Sequence, residues 1–120
     1  MKIAFSGAAA LLLIDVMSAS AGNLAGQYQV TGKNVDGSTY SGTAQIVVTS
    51  DTTCRDLLAD RRGSVQGTCM RNGTSFAASY TLADAIGLVH YQIKPDGTLE
   101  GLRMISGKPC VGTETLTPTN

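Results

Sequence analysis

Cys54, Cys69 and Cys110 are the only thiols and His90 the only imidazole in a chain of 120 residues, so few chemistries are open to it. Three cysteines leave one over after pairing. If Asp60 and Gly63 flank a two-residue turn, antiparallel pairing opposes residues whose numbers sum to 123, and Cys54 then faces Cys69. We expect that bridge, whose loop closure is worth about 3 kcal/mol by the chain-entropy estimate. Cys110 is then a free thiol or joins two chains. The competing arrangements are a bridge from Cys69 to Cys110 and three free, buried thiols.

His90 alternates with Gln92 and Lys94 along one strand face, which reads as polar surface. The G-x-S-x-G, C-x-x-C, H-E-x-x-H and G-x-x-x-x-G-K-[ST] patterns are absent, and with them the usual nucleophile, zinc and phosphate signatures. The expectation is a protein that is not an enzyme and needs no cofactor or metal; the route left open to catalysis is a pair of carboxylates converging from different strands. A calcium loop with Gly37 sixth would have Gly32 first and Thr43 last, where acidic ligands are required.

Binding chemistry is better supplied. Tyr28, Tyr40, Tyr80 and Tyr91 each offer a flat apolar face and a hydroxyl, suited to lining a cavity or to packing a core or rim. If Leu99 points inward so does Arg103, and if Leu116 points inward so does Glu114, which sets opposite charges on neighbouring strands. That pair would floor a small-ligand pocket or simply tie the last two strands together.

These side chains need a sheet to hold them. After Gly22, short β-prone runs alternate with turn signals every 8 to 12 residues or so, the rhythm of a small all-β sandwich or barrel. Asp36-Gly37, Asn72-Gly73 and Asp96-Gly97 announce tight turns; Ser50–Thr52, Asp60–Gly63, Asp84–Gly87 and Ser106–Pro109 are weaker ones. Strands are predicted near 25–31, 39–48, 53–59, 64–70, 74–82, 87–94, 98–105 and 110–117, with two turns of helix over Cys54–Arg62 as the one helical competitor.

Alternation turns Tyr40, Gly42, Ala44, Ile46 and Val48 to the core, with Phe76, Ala78, Tyr80, Leu82, Val89, Tyr91 and Ile93. Short connections imply an antiparallel meander, and eight strands can close so that the last meets the first. The fold class is therefore an all-β, eight-stranded antiparallel meander barrel. "DGSTYSG" at 36–42 and "DGTLEG" at 96–101 echo each other, each running from an Asp-Gly turn into a strand that carries a glycine.

Residues 1–21 read as a signal peptide: Lys2, an apolar stretch from Ile3 to Ile14, then Ala19-Ser20-Ala21 before the predicted cut. The stretch is about half of the roughly 20 residues a spanning helix needs, and Asp15 interrupts it. A single domain over 22–120, periplasmic or secreted, follows. Zero formal net charge and one adjacent basic pair, Arg61-Arg62, argue against nucleic acid as a partner.

"GQYQVTGKNVDGSTYSG", "HYQIKPDGTLEG" and "GTETL" together resemble a family of small exported proteins, mostly proteobacterial, of undefined activity; some members carry a fibronectin-binding label. Where the family pattern D-G-x-L-x-G-x-W has tryptophan, this chain has Arg103, and it contains no Trp at all. The resemblance implies export and a small barrel, and brings no catalytic residues. In outline the chain is also similar to the avidins and lipocalins, which belong to the calycin-like barrels, with Gly26-Gln27-Tyr28 where a lipocalin has G-x-W; without tryptophans an avidin-type biotin site is not expected. The leading expectation is an exported, non-enzymatic binding protein for a surface macromolecule or partner subunit. The alternatives are a carrier of a small apolar or aromatic ligand inside the barrel, a barrel resembling bacterial protease inhibitors, and an enzyme.

Overall fold

The computed structural model of the protein describes residues 24–34 and 36–119; the expected leader, 1–21, lies outside the described residues. Eight strands follow in order: β1 Gly26–Lys33, β2 Thr39–Val48, β3 Thr53–Asp60, β4 Gly63–Asn72, β5 Ser75–Thr81, β6 Ile86–Ile93, β7 Leu99–Ile105 and β8 Gly112–Pro118. Each pairs antiparallel with its sequence neighbour, and β1 pairs with β8, so the sheet closes into a barrel without edges.

The turns do what their residues demand. Gly37, Gly73 and Gly97 have φ of 90°, 63° and 89°, a region closed to most side chains. The sequence echo is also structural. The amide of Asn34 donates to the Ser38 carbonyl and that of Lys94 to the Thr98 carbonyl, both at 2.8 Å. Within these turns Asp36 and Asp96 each accept from the amide two residues on, at 2.9 Å. Bonds from Ser38 and from Thr98 hold the two carboxyls below their usual range.

The segment that competed as a helix is strand β3. Cys54, Asp56 and Leu58 point inward while Arg55 and Leu57 point out, and the strand pairs along both sides. Its hairpin to β4 turns at Arg61-Arg62, which puts Cys54 opposite Cys69 in a disulfide with the Cα atoms 5.0 Å apart. The bridge is inside the barrel, where both cysteines are buried; Cys110 is free and exposed.

Apolar side chains fill the interior toward the end formed by the β2–β3, β4–β5 and β6–β7 turns, where Leu24, Cys54, Arg71 and residues 48–53 also line a cavity of about 490 Å³. Phe76 and Tyr91 stack with ring centroids 5.3 Å apart, and Ile46, Val89, Leu99 and Leu116 are buried with them. Leu24, just before β1, is buried too, and its carbonyl accepts a 2.6 Å bond from the Tyr28 hydroxyl. Val48 corrects the inward pattern of β2: it is 45% exposed, because it ends the strand at the rim, beside the 49–52 turn. On the outer wall, Leu88, Met104 and Val111 fall in one row across β6, β7 and the approach to β8, with Ile86 and Leu102 alongside, all exposed.

Candidate functional site

The register explains why this chain needs both its glycines and its tyrosines. Reading across the sheet, Tyr91, Gly101, Glu114, Gly32 and Tyr40 form one row over β6, β7, β8, β1 and β2. The two glycines flank Glu114, and a Cβ on either would run into the neighbouring tyrosine ring. Their missing side chains let both rings lie along the wall and reach the carboxylate from opposite sides. The Tyr40 hydroxyl donates to Glu114 Oε1 at 2.7 Å and the Tyr91 hydroxyl donates to Oε2.

Arg103, two positions after Gly101, completes the cluster. Its Nε lies 3.9 Å from Glu114 Oε1, its guanidinium carbon is 4.7 Å from the Tyr40 ring centroid, and one of its terminal nitrogens donates to Asn34 Oδ1. Nε itself is buried without a hydrogen-bond partner. Burial first, and the Glu114 charge second, push the Tyr40 and Tyr91 phenols well above their ordinary range, so both remain donors throughout physiological pH. The pair expected from the sequence is therefore real and faces inward, with Tyr40 and Tyr91 as its hydrogen-bonding partners.

Above this floor the barrel is open. A cavity of about 480 Å³ occupies the end formed by the β1–β2, β3–β4, β5–β6 and β7–β8 turns. Val30, Leu58, Val65, Leu82 and Ile105 give it apolar walls, Tyr40 and Tyr80 aromatic faces, and Arg103 and Glu114 a charged base. Tyr80 lies over Gly87, where a Cβ would come within 2.6 Å of its ring, and burial pushes its phenol up.

Four of the six residues singled out as ligand contacts, Tyr40, Tyr80, Arg103 and Glu114, thus line one cavity. Tyr91 supports it from below through Glu114, and Tyr28 does not join it, being committed to Leu24 at the opposite end. His90 is exposed and bonded to Ser75 Oγ at 2.7 Å. Among the described residues no three His, Cys, Asp or Glu side chains gather into a metal site.

One residue escaped the sequence reading. Asp56 is completely buried, and neither carboxyl oxygen has a hydrogen-bond partner. It lies one inward position deeper than Leu58, in the row Ile46, Asp56, Gly67, Tyr80. Desolvation, then the Glu114 charge, raise its pKa to about 7. Its signal was present in the alternation Cys54, Asp56, Leu58, which places an acid between two inward residues.

No family model matches the chain, and no curated protein does. Among solved structures it is similar to a redesigned beta barrel, at 19% identity and a TM-score of 0.67 over 84% of this chain and 96% of that one. A fluorescence-activating beta barrel of de novo design matches at 18% identity and a TM-score of 0.61, over 83% of this chain and 97% of the other. A further barrel, solved bound to DFHBI, matches at 20% and 0.62, over 86% and 99%. At these identities the likeness is one of fold.

Proposed function

We propose that the protein is an exported, non-enzymatic binding protein that takes a small apolar or aromatic ligand in the open end of its barrel. The observation that carries this is the cavity: about 480 Å³, within the range of small-molecule sites, with apolar walls and a few convergent polar groups at its base. Two of the similar barrels are described as fluorescence-activating or bound to DFHBI, which supports the reading by analogy of fold. The internal disulfide suits an oxidising compartment and so supports export.

Nile red, a neutral apolar fluorophore, tests the proposal. It should brighten and shift to the blue with the protein and lose that signal in Leu58→Trp, whose indole would fill the cavity, while the circular dichroism of the fold is retained. Equal binding by the plugged variant would remove the carrier reading.

A second reading, docking of a macromolecule or partner subunit, draws on the exposed outer row Leu88, Met104 and Val111 with Ile86 and Leu102. Leu88→Asp with Met104→Asp should abolish any self-association or partner capture; sedimentation and pull-down profiles unchanged by the pair would count against this surface.

A further inference from the structure

The barrel interior repeats one device and leaves one copy unfilled. Glu114 is flanked on both sides by glycine and then tyrosine, and both hydroxyls reach it. Asp56 has the same neighbours on one side, Gly67 and then Tyr80. Here, however, the Tyr80 ring lies over Gly87, on the far side, and Asp56 receives nothing. Asp56 does not itself line the cavity: it lies one inward position below Leu58 and across Gly67 from Tyr80, two residues that do.

The charges agree. Among the described residues the buried acids are Asp56 and Glu114, and Arg103, the cation beside Glu114, is already committed to it, to Asn34 and to the Tyr40 face. The strands adjoining Asp56 bring only Ile46 and Gly67 to its row. Across the interior it faces Tyr80, Tyr91 and Glu114, of which Glu114 is a like charge. An ionised carboxylate so placed has no compensating partner, a situation proteins avoid by taking up a proton or a counter-charge.

We propose that the ligand of the cavity is a small organic cation, an apolar or aromatic body with a protonated amine whose N–H groups are received by Asp56 below Leu58. This rests on the carrier reading above and specifies its ligand class. The apolar body lies against Val30, Leu58, Val65 and Leu82, and the ammonium replaces the proton that Asp56 otherwise holds. Binding therefore releases a proton and strengthens as pH rises through the range in which Asp56 ionises. With that carboxyl titrating near 7, the fraction competent to bind changes by about tenfold between pH 6 and pH 8, and the apparent affinity with it.

The test compares phenethylammonium, phenethyl alcohol and hydrocinnamate as competitors of Nile red, with calorimetry of the ammonium at pH 7 in two buffers of different ionisation enthalpy. The ammonium should displace the dye about tenfold more strongly at pH 8 than at pH 6, release about half a proton at pH 7, and lose that preference in Asp56→Asn. The wild-type pH profile and proton count stand even if the variant fails to fold. An ammonium no better than the alcohol, no proton release, or a preference for hydrocinnamate would overturn the cation proposal while leaving the carrier reading intact. Failure of Nile red and all three competitors to bind would overturn both.

Discussion

Asp56 makes the stability of this barrel fall as pH rises, against the usual behaviour of a carboxylate. Its folded-state pKa, about 7, lies above the value near 3.8 it has when solvated. Below pH 4 it is protonated in both states and its burial is tolerated. Between those values the unfolded chain releases the proton and the folded chain keeps it, so stability drops by up to about 1.4 kcal/mol per pH unit. The contribution is fully present below the unfolded pKa and lost once pH passes the folded one.

A gap of roughly three units amounts to about 4 kcal/mol in all, of which about 3 kcal/mol falls between pH 5 and pH 8. Small domains are stable by only about 5–15 kcal/mol, so this is a large share. Asp36 and Asp96, whose pKa values are lowered, act in the opposite sense and only in acid. Urea unfolding followed by circular dichroism, with the disulfide intact, should show the midpoint falling from pH 5 to pH 8 in the wild type and staying level in Asp56→Asn. A wild-type midpoint that is flat or rises over that range, or a variant that keeps the slope, would mean that Asp56 does not hold its proton in the folded barrel.

Two further predictions concern the frame. Reducing the Cys54–Cys69 bridge, or replacing both cysteines with serine, should cost about 3 kcal/mol in unfolding free energy, read as a lower urea midpoint; no change would mean the bridge does not constrain the unfolded chain. Gly101→Ala should cost more than an exposed strand glycine would, about 1–3 kcal/mol, because its methyl meets the His90 carbonyl and the Tyr91 ring, and Tyr91→Phe about 1–3 kcal/mol through the donor it takes from Glu114. Thermal melts of each variant beside the wild type would show the losses, and a variant as stable as the wild type at either position would contradict the row geometry.

How far the sequence spoke depends on the range of the signal. Turn glycines act within four residues, so Asp36-Gly37, Asn72-Gly73 and Asp96-Gly97 placed three hairpins, and one hairpin fixed the Cys54–Cys69 register. Alternation, a local period, oriented Phe76, Tyr91 and Leu116, and failed at Val48 because a rim has no neighbour to bury its last residue. It also placed Arg103 and Glu114 inside together.

What it could not supply was anything requiring several registers at once. That Gly32 and Gly101 flank Glu114 depends on two separate pairings, β8 with β1 and β7 with β8, and that tyrosines lie beyond them depends on two more. The cavity depends on summed side-chain volumes at one end of eight strands, for which no local pattern exists. Asp56 is different in kind, since alternation between Cys54 and Leu58 sets it inward only once the segment is strand β3 rather than two turns of helix.

Methyl NMR during a titration with Nile red separates a site inside the barrel from one on its outer wall. Methyls of Val30, Leu58, Val65, Leu82 and Ile105 should shift together and saturably, while those of Ile86, Leu88, Leu102 and Met104 stay in place. Movement confined to the outer row, with the cavity methyls silent, would contradict a binding site inside the barrel.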